Sequence, residues 1–185
     1  VKEFMNYYIT SVMEEYTPEF DQMLFYLPLA GSTFKKVYYD ENLDRAVSKF
    51  IPAEDLVVPY STSDLDTCPN ITHVVKMSLN DLRKRQLSGF YRDIPVIPAQ
   101  GETSSVKEEL ERIDGMYPSN VDYDCTLLEC HVDLDLEGFE EENDEGEATG
   151  IKVPYVVTIS QDNGQVLSIR RNYKENYSKK KKIQY

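Results

Sequence analysis

The chain has 185 residues, of which 41% are hydrophobic and 29% charged, a balance that supports a packed core and excludes wholesale disorder. Its formal net charge of -13 excludes a domain that grips nucleic acid by displacing counterions, since that grip needs dense Lys and Arg. No apolar run is long enough for a membrane span, and Cys68, Cys125 and Cys130, odd in number and without CxxC spacing, follow the pattern of reduced, buried thiols in a cytosolic protein.

The first residues carry Phe4, Met5, Tyr8, Ile9, Val12, Met13 and Tyr16 at the three-and-four spacing of a helix stripe. A first helix is therefore expected to run to Tyr16. A second should follow from Thr17 as N-cap, with Pro18 at its first position and Pro28 and Gly31 ending it. Residues 1–30 are thus a helical segment. From 31 to 77 the pattern turns to short strands at Phe34–Tyr39, Ala46–Ile51, Leu56–Pro59 and Ile71–Met77, the first two forming a hairpin and 61–70 a surface loop.

Residues 78–115 are expected to hold two short capped helices. Ser78 with Asp81 forms a capping box before Leu79, Leu82 and Leu87, with Gly89 as the stop. Ser105 with Glu108 repeats that grammar before Val106, Leu110 and Ile113, and Gly115 closes it. Residues 125–173 read as a three-stranded antiparallel meander. In its first strand Leu128, Cys130, Val132, Leu134 and Leu136 alternate with Glu129, His131, Asp133, Asp135 and Glu137, so the first set is expected in the core and the second in solvent. The other two strands, Lys152–Ser160 and Val166–Tyr173, are joined through Asp162, Asn163 and Gly164. The fold class expected is α+β, with helices packed on antiparallel sheet and hairpins within a single domain.

Few constellations carry chemistry. His131, Asp133 and Asp135 share one strand face and are the candidate metal ligands, but parallel i, i+2 side chains on a solvated face need no metal. The acidic run from Glu137 to Glu147 echoes a calcium loop faintly and fails where the bidentate Glu should stand, at Lys152. Two basic clusters, Arg83, Lys84 and Arg85 on the short helix and Lys179, Lys180, Lys181 and Lys182 near the end, are candidate interaction residues, with solvated faces as the plainer account. The sequence has no glycine-rich phosphate loop, no G-x-S-x-G elbow and no H-E-x-x-H, and only two histidines, His73 and His131. No catalytic residue and no cofactor are assigned.

Several long phrases carry a resemblance. GSTFKKVYYD (Gly31–Asp40), FIPAEDLVVPY (Phe50–Tyr60), ITHVVKMSLNDLRKRQLSGFYRD (Ile71–Asp93), LLECHVDLDLEGF (Leu127–Phe139), TGIKVPYVVTI (Thr149–Ile159) and VLSIRRNY (Val166–Tyr173) resemble, in order, the portal proteins of short-tailed bacteriophages. The resemblance implies a non-enzymatic subunit of a homododecameric head-tail connector at the capsid vertex of the virion, assembled in the bacterial host cytoplasm. It implies partners in other copies of the chain, in capsid and scaffold proteins, in the terminase that powers packaging, and in double-stranded DNA that passes through without sequence-specific binding; no membrane is implied. This segment resembles the outer wing, and a start at Val1 with an end at Tyr185 is expected for a piece whose remaining parts lie beyond residue 185. The rival classes are a metal-binding hydrolase built on His131, Asp133 and Asp135, and a generic protein-binding module.

Overall fold

The computed structural model describes residues 1–40, 43–96, 124–140, 147–173 and 183. Among them the fold is α+β, with three α-helices, a two-stranded and a five-stranded antiparallel sheet. The chain divides into two compact units, one of residues 1–73, 130–156 and 170–185, the other of 74–129 and 157–169.

In the first unit α1 (Lys2–Tyr7) runs into a π-helical turn (Tyr8–Val12), and the backbone leaves helical geometry at Met13. The expected first helix therefore closes before Tyr16. Helix α2 (Tyr16–Ala30) begins at Tyr16 with Glu15, not Thr17, in the cap position. Pro18 falls third in α2 rather than first, which the helix accepts because its first four N–H groups have no intrahelical acceptor. Pro28 does not end α2 either. It lies in the last turn, at the cost of one hydrogen bond, and the stop comes at Gly31, where φ is 77° and only glycine avoids the Cβ penalty.

Strands β1 (Thr33–Asp40) and β2 (Arg45–Pro52) form the expected hairpin, with Thr33 opposite Pro52 and Asp40 opposite Arg45. The short β3 (Leu56–Val57) pairs antiparallel with β4 (Asn70–Ser78), Leu56 facing His73. Ile51, Leu56, Cys68 and Ile71 form this unit's core, with Phe34, Val58 and Leu65 packed on it.

Helix α3 (Leu79–Leu87) follows β4 at once. With β5 (Asp124–Leu134), β6 (Val153–Ser160) and β7 (Val166–Arg171) defined, the larger sheet has the order β3-β4-β5-β6-β7. The β6–β7 connection spans 161–165, where Gly164 takes φ 68° and Ser160 donates its N–H to the Gln165 carbonyl at 2.9 Å. The second unit's core is Met77, Leu82, Tyr91, Cys125, Leu127 and Leu167, joined by Val75 and Val96. The helix expected at Ser105–Gly115 lies outside the described residues.

Strand β5 corrects the sequence reading most sharply. His131, assigned to solvent, is buried, as are Cys125 and Leu127, while Leu128, Cys130, Val132, Leu134 and Leu136 are only half-buried. β5 is the central strand of five, and a central strand can be covered on either face, which polar-apolar alternation by itself does not distinguish. The solvated face begins only at Asp133 and Asp135.

Candidate interaction surfaces

The basic cluster sits on α3, whose start is set by Ser78. Its Oγ accepts the Asp81 N–H at 3.1 Å and donates to the Asp81 carboxylate at 3.0 Å, satisfying one orphan amide. The Ser78 hydroxyl, with Lys84 adding to it, lowers the Asp81 carboxyl from its ordinary value. Past Leu87 the chain doubles back through Gly89 at φ 75°, with the Phe90 and Tyr91 amides both donating to the Arg85 carbonyl. That return places acceptors and rings around the cluster's cations.

Each cation is engaged within its own segment. Arg83 pairs with Asp93 and donates to Gln86 Oε1 at 3.1 Å. Lys84 pairs with Asp81 at 3.2 Å. Arg85 donates to the Tyr91 hydroxyl at 3.4 Å, its guanidinium 5.7 Å from the Phe90 ring centre and 5.8 Å from that of Tyr91. Buried Gln86 donates to the carbonyls of Arg92 (3.2 Å) and Ile94 (2.7 Å), and the Arg92 amide donates to Leu167 on β7 at 2.9 Å. Burial raises the Tyr91 phenol above its ordinary value despite nearby Arg85. The cluster thus works first as internal bracing. Lys179, Lys180, Lys181 and Lys182 lie outside the described residues.

The metal candidates are separated by burial. His131 is buried beside Asn172, whose Nδ2 is 3.5 Å from His131 Nδ1; Asn172 is itself anchored by accepting the Ile183 N–H at 3.0 Å and donating its own N–H to Pro154 at 2.8 Å. Asp133 is exposed on the same strand, and Asp135 is exposed just past its end. Among the described residues no group of three His, Cys, Asp or Glu side chains converges on a point. His73 is half-buried on β4. Cys68 and Cys125 are buried and Cys130 half-buried, and none of the three is in a disulfide. Only the edge of the acidic run, Glu137–Glu140 and Glu147, falls among the described residues.

The helical layer of the first unit holds what sequence reasoning missed. One face of α2 packs on the hairpin: Tyr16 and Phe20 stack at 5.9 Å, Lys35 Nζ lies 4.3 Å and 4.8 Å from their ring centres, and Tyr26 meets Phe50 at 5.4 Å. Burial lowers the Lys35 amine, while nearby Glu19 opposes that shift. On the same side Arg45 Nη1 donates to both Glu15 oxygens, at 2.7 and 2.6 Å. The other face leaves Leu24, Phe25 and Leu29 exposed, and α2 carries no charged residue after Asp21. The spacing of Tyr16 with Phe20 and of Glu15 with Glu19 signals a shared helix face, but nothing local names the strand that receives them. No family model matches the chain, and no curated protein matches it.

Proposed function

We propose that this chain is a structural, non-enzymatic part of a portal ring, the head-tail connector at the capsid vertex of a short-tailed bacteriophage. The observation that carries this reading is the ordered succession of portal-like phrases from Gly31 to Tyr173. Two features support it. The chain's negative field repels phosphate, as suits a conduit that must let DNA pass without gripping it. The exposed, charge-free row of Leu24, Phe25 and Leu29 suits burial in an assembly.

A closed ring needs a heterologous interface, in which different patches of adjacent copies match. Because Arg83, Lys84 and Arg85 are engaged internally, the tract Lys179–Lys182 is the stronger candidate for the cationic side, with the exposed Asp133 and Asp135 face or the acidic run from Glu137 as its complement. The capsid, scaffold and terminase contacts of the ring, and its place in the virion, belong to the same reading.

Electron microscopy of the full-length gene product tests it. Annular particles support the reading; uniformly monomeric particles at assembly concentrations overturn it. Replacing Lys179–Lys182 by glutamate should weaken ring formation, with the wild-type ring itself weakening as salt rises.

A further inference from the structure

β2 has β1 on one edge and no described strand on the other. Backbone groups of alternate residues in a strand point to the same edge. The amides of Ala46, Ser48 and Phe50 are in that phase, and those of Ala46 and Phe50 each meet a side chain from the helical layer instead of a strand. Ala46 N–H donates to the Tyr8 hydroxyl at 2.9 Å and Phe50 N–H to Glu19 Oε2 at 2.6 Å. Between them Glu15 is held by Arg45, and its carboxyl lies near enough to the Ser48 amide for that amide, after the Arg45 contact and Glu15's own backbone, to help offset the upward push of burial.

An unpaired strand edge is a template for another strand, and proteins commonly cover such edges. The geometry assigns Tyr8, Glu15 and Glu19 as a guard over the outer edge of β2, a latent strand-pairing surface whose partner, once the guard is withdrawn, is β2 of a second copy.

The register favours that partner. An antiparallel two-fold pairing centred on Ser48 sets Ala46 opposite Phe50 and Ser48 opposite its own equivalent. All three outward amides then gain backbone carbonyl acceptors. The same register sets Arg45 opposite Ile51 and Val47 opposite Lys49, so no two cations face each other directly; Lys49 meets Arg45 and its own equivalent only on diagonals. This contact is distinct from the ring interface of the portal reading and does not rest on it.

The test combines Tyr8→Phe, Glu15→Ala and Glu19→Ala in the full chain and measures mass by light scattering after size exclusion, beside circular dichroism. The expected result is a folded species of twice the wild-type mass. Adding Ser48→Pro, which removes one outward amide and leaves the β1 ladder intact, should return the wild-type mass. A folded triple variant of unchanged mass overturns the proposal, as does association that Ser48→Pro leaves untouched. If the triple variant is unfolded, amide exchange in the single variants decides. Tyr8→Phe should speed exchange at Ala46 and Glu19→Ala at Phe50, each by roughly tenfold, the scale of one lost hydrogen bond. Unchanged rates at those amides overturn the guard.

Discussion

The α3 turn and the helix-hairpin layer use charge in opposite ways. At α3 the partners lie close along the chain, Lys84 with Asp81 and Arg83 with Asp93, and Asp81 and Asp93 both stay exposed. In the hairpin layer Glu15 reaches Arg45 across 30 residues and Glu19 reaches Phe50 across 31, and both contacts are partly buried. Local pairs brace a turn that the sequence already dictates. Distant pairs decide which helix lies on which strand, so the two regions should respond differently to the same kind of substitution.

The largest effect is expected at neither set of charges but in the core beneath α3. Leu82 is 1% exposed among Met77, Tyr91, Cys125, Leu127 and Leu167, so Leu82→Ala should cost roughly 2–5 kcal/mol, measured by urea unfolding. Next comes Glu15→Ala, which removes both acceptors of the part-buried Arg45 guanidinium and should cost about 1–3 kcal/mol at neutral pH. The Glu15 carboxyl lies below its ordinary 4.5 in the folded chain: burial raises it, but the Arg45 and backbone hydrogen bonds prevail. Its contribution is therefore complete above 4.5 and fades as pH falls through the folded value, so wild type and variant should converge on acidification. Convergence absent from a series of unfolding curves would remove Glu15 as the titrating contact.

Smaller losses are expected at the turn itself. Ser78→Ala removes the α3 cap and should cost about 1 kcal/mol, readable as a lower unfolding midpoint. Gly89→Ala meets no atom within 4 Å, so only its φ of 75° opposes it, and about 1 kcal/mol is expected by the same measurement. Smallest is Lys84→Ala, whose exposed ion pair should leave the midpoint unmoved; a clear loss there would erase the contrast between local and distant pairs.

The legibility of the fold follows the same division. The hairpin of β1 and β2, the Ser78 cap and the Gly164 turn were readable because each is settled by residues close in sequence. Helix ends slipped where two signals competed, as at Thr17 and Pro18 against Tyr16, and at Pro28 against Gly31. The interaction residues were legible only as residue types: Arg83, Lys84 and Arg85 were visible as a basic cluster, but not that Asp93, Asp81 and Tyr91 would occupy them.

Composition and spacing by themselves determined the acidic character, the α+β class and the short-range turns and caps, because those depend on neighbours along the chain. Only the tertiary structure decided that His131 is buried beside Asn172, that Tyr8 and Glu19 accept outward amides of β2, and that Glu15 holds Arg45. The cause is physical: alternation states which residues share a face, whereas strand order and the packing of distant segments determine what that face meets.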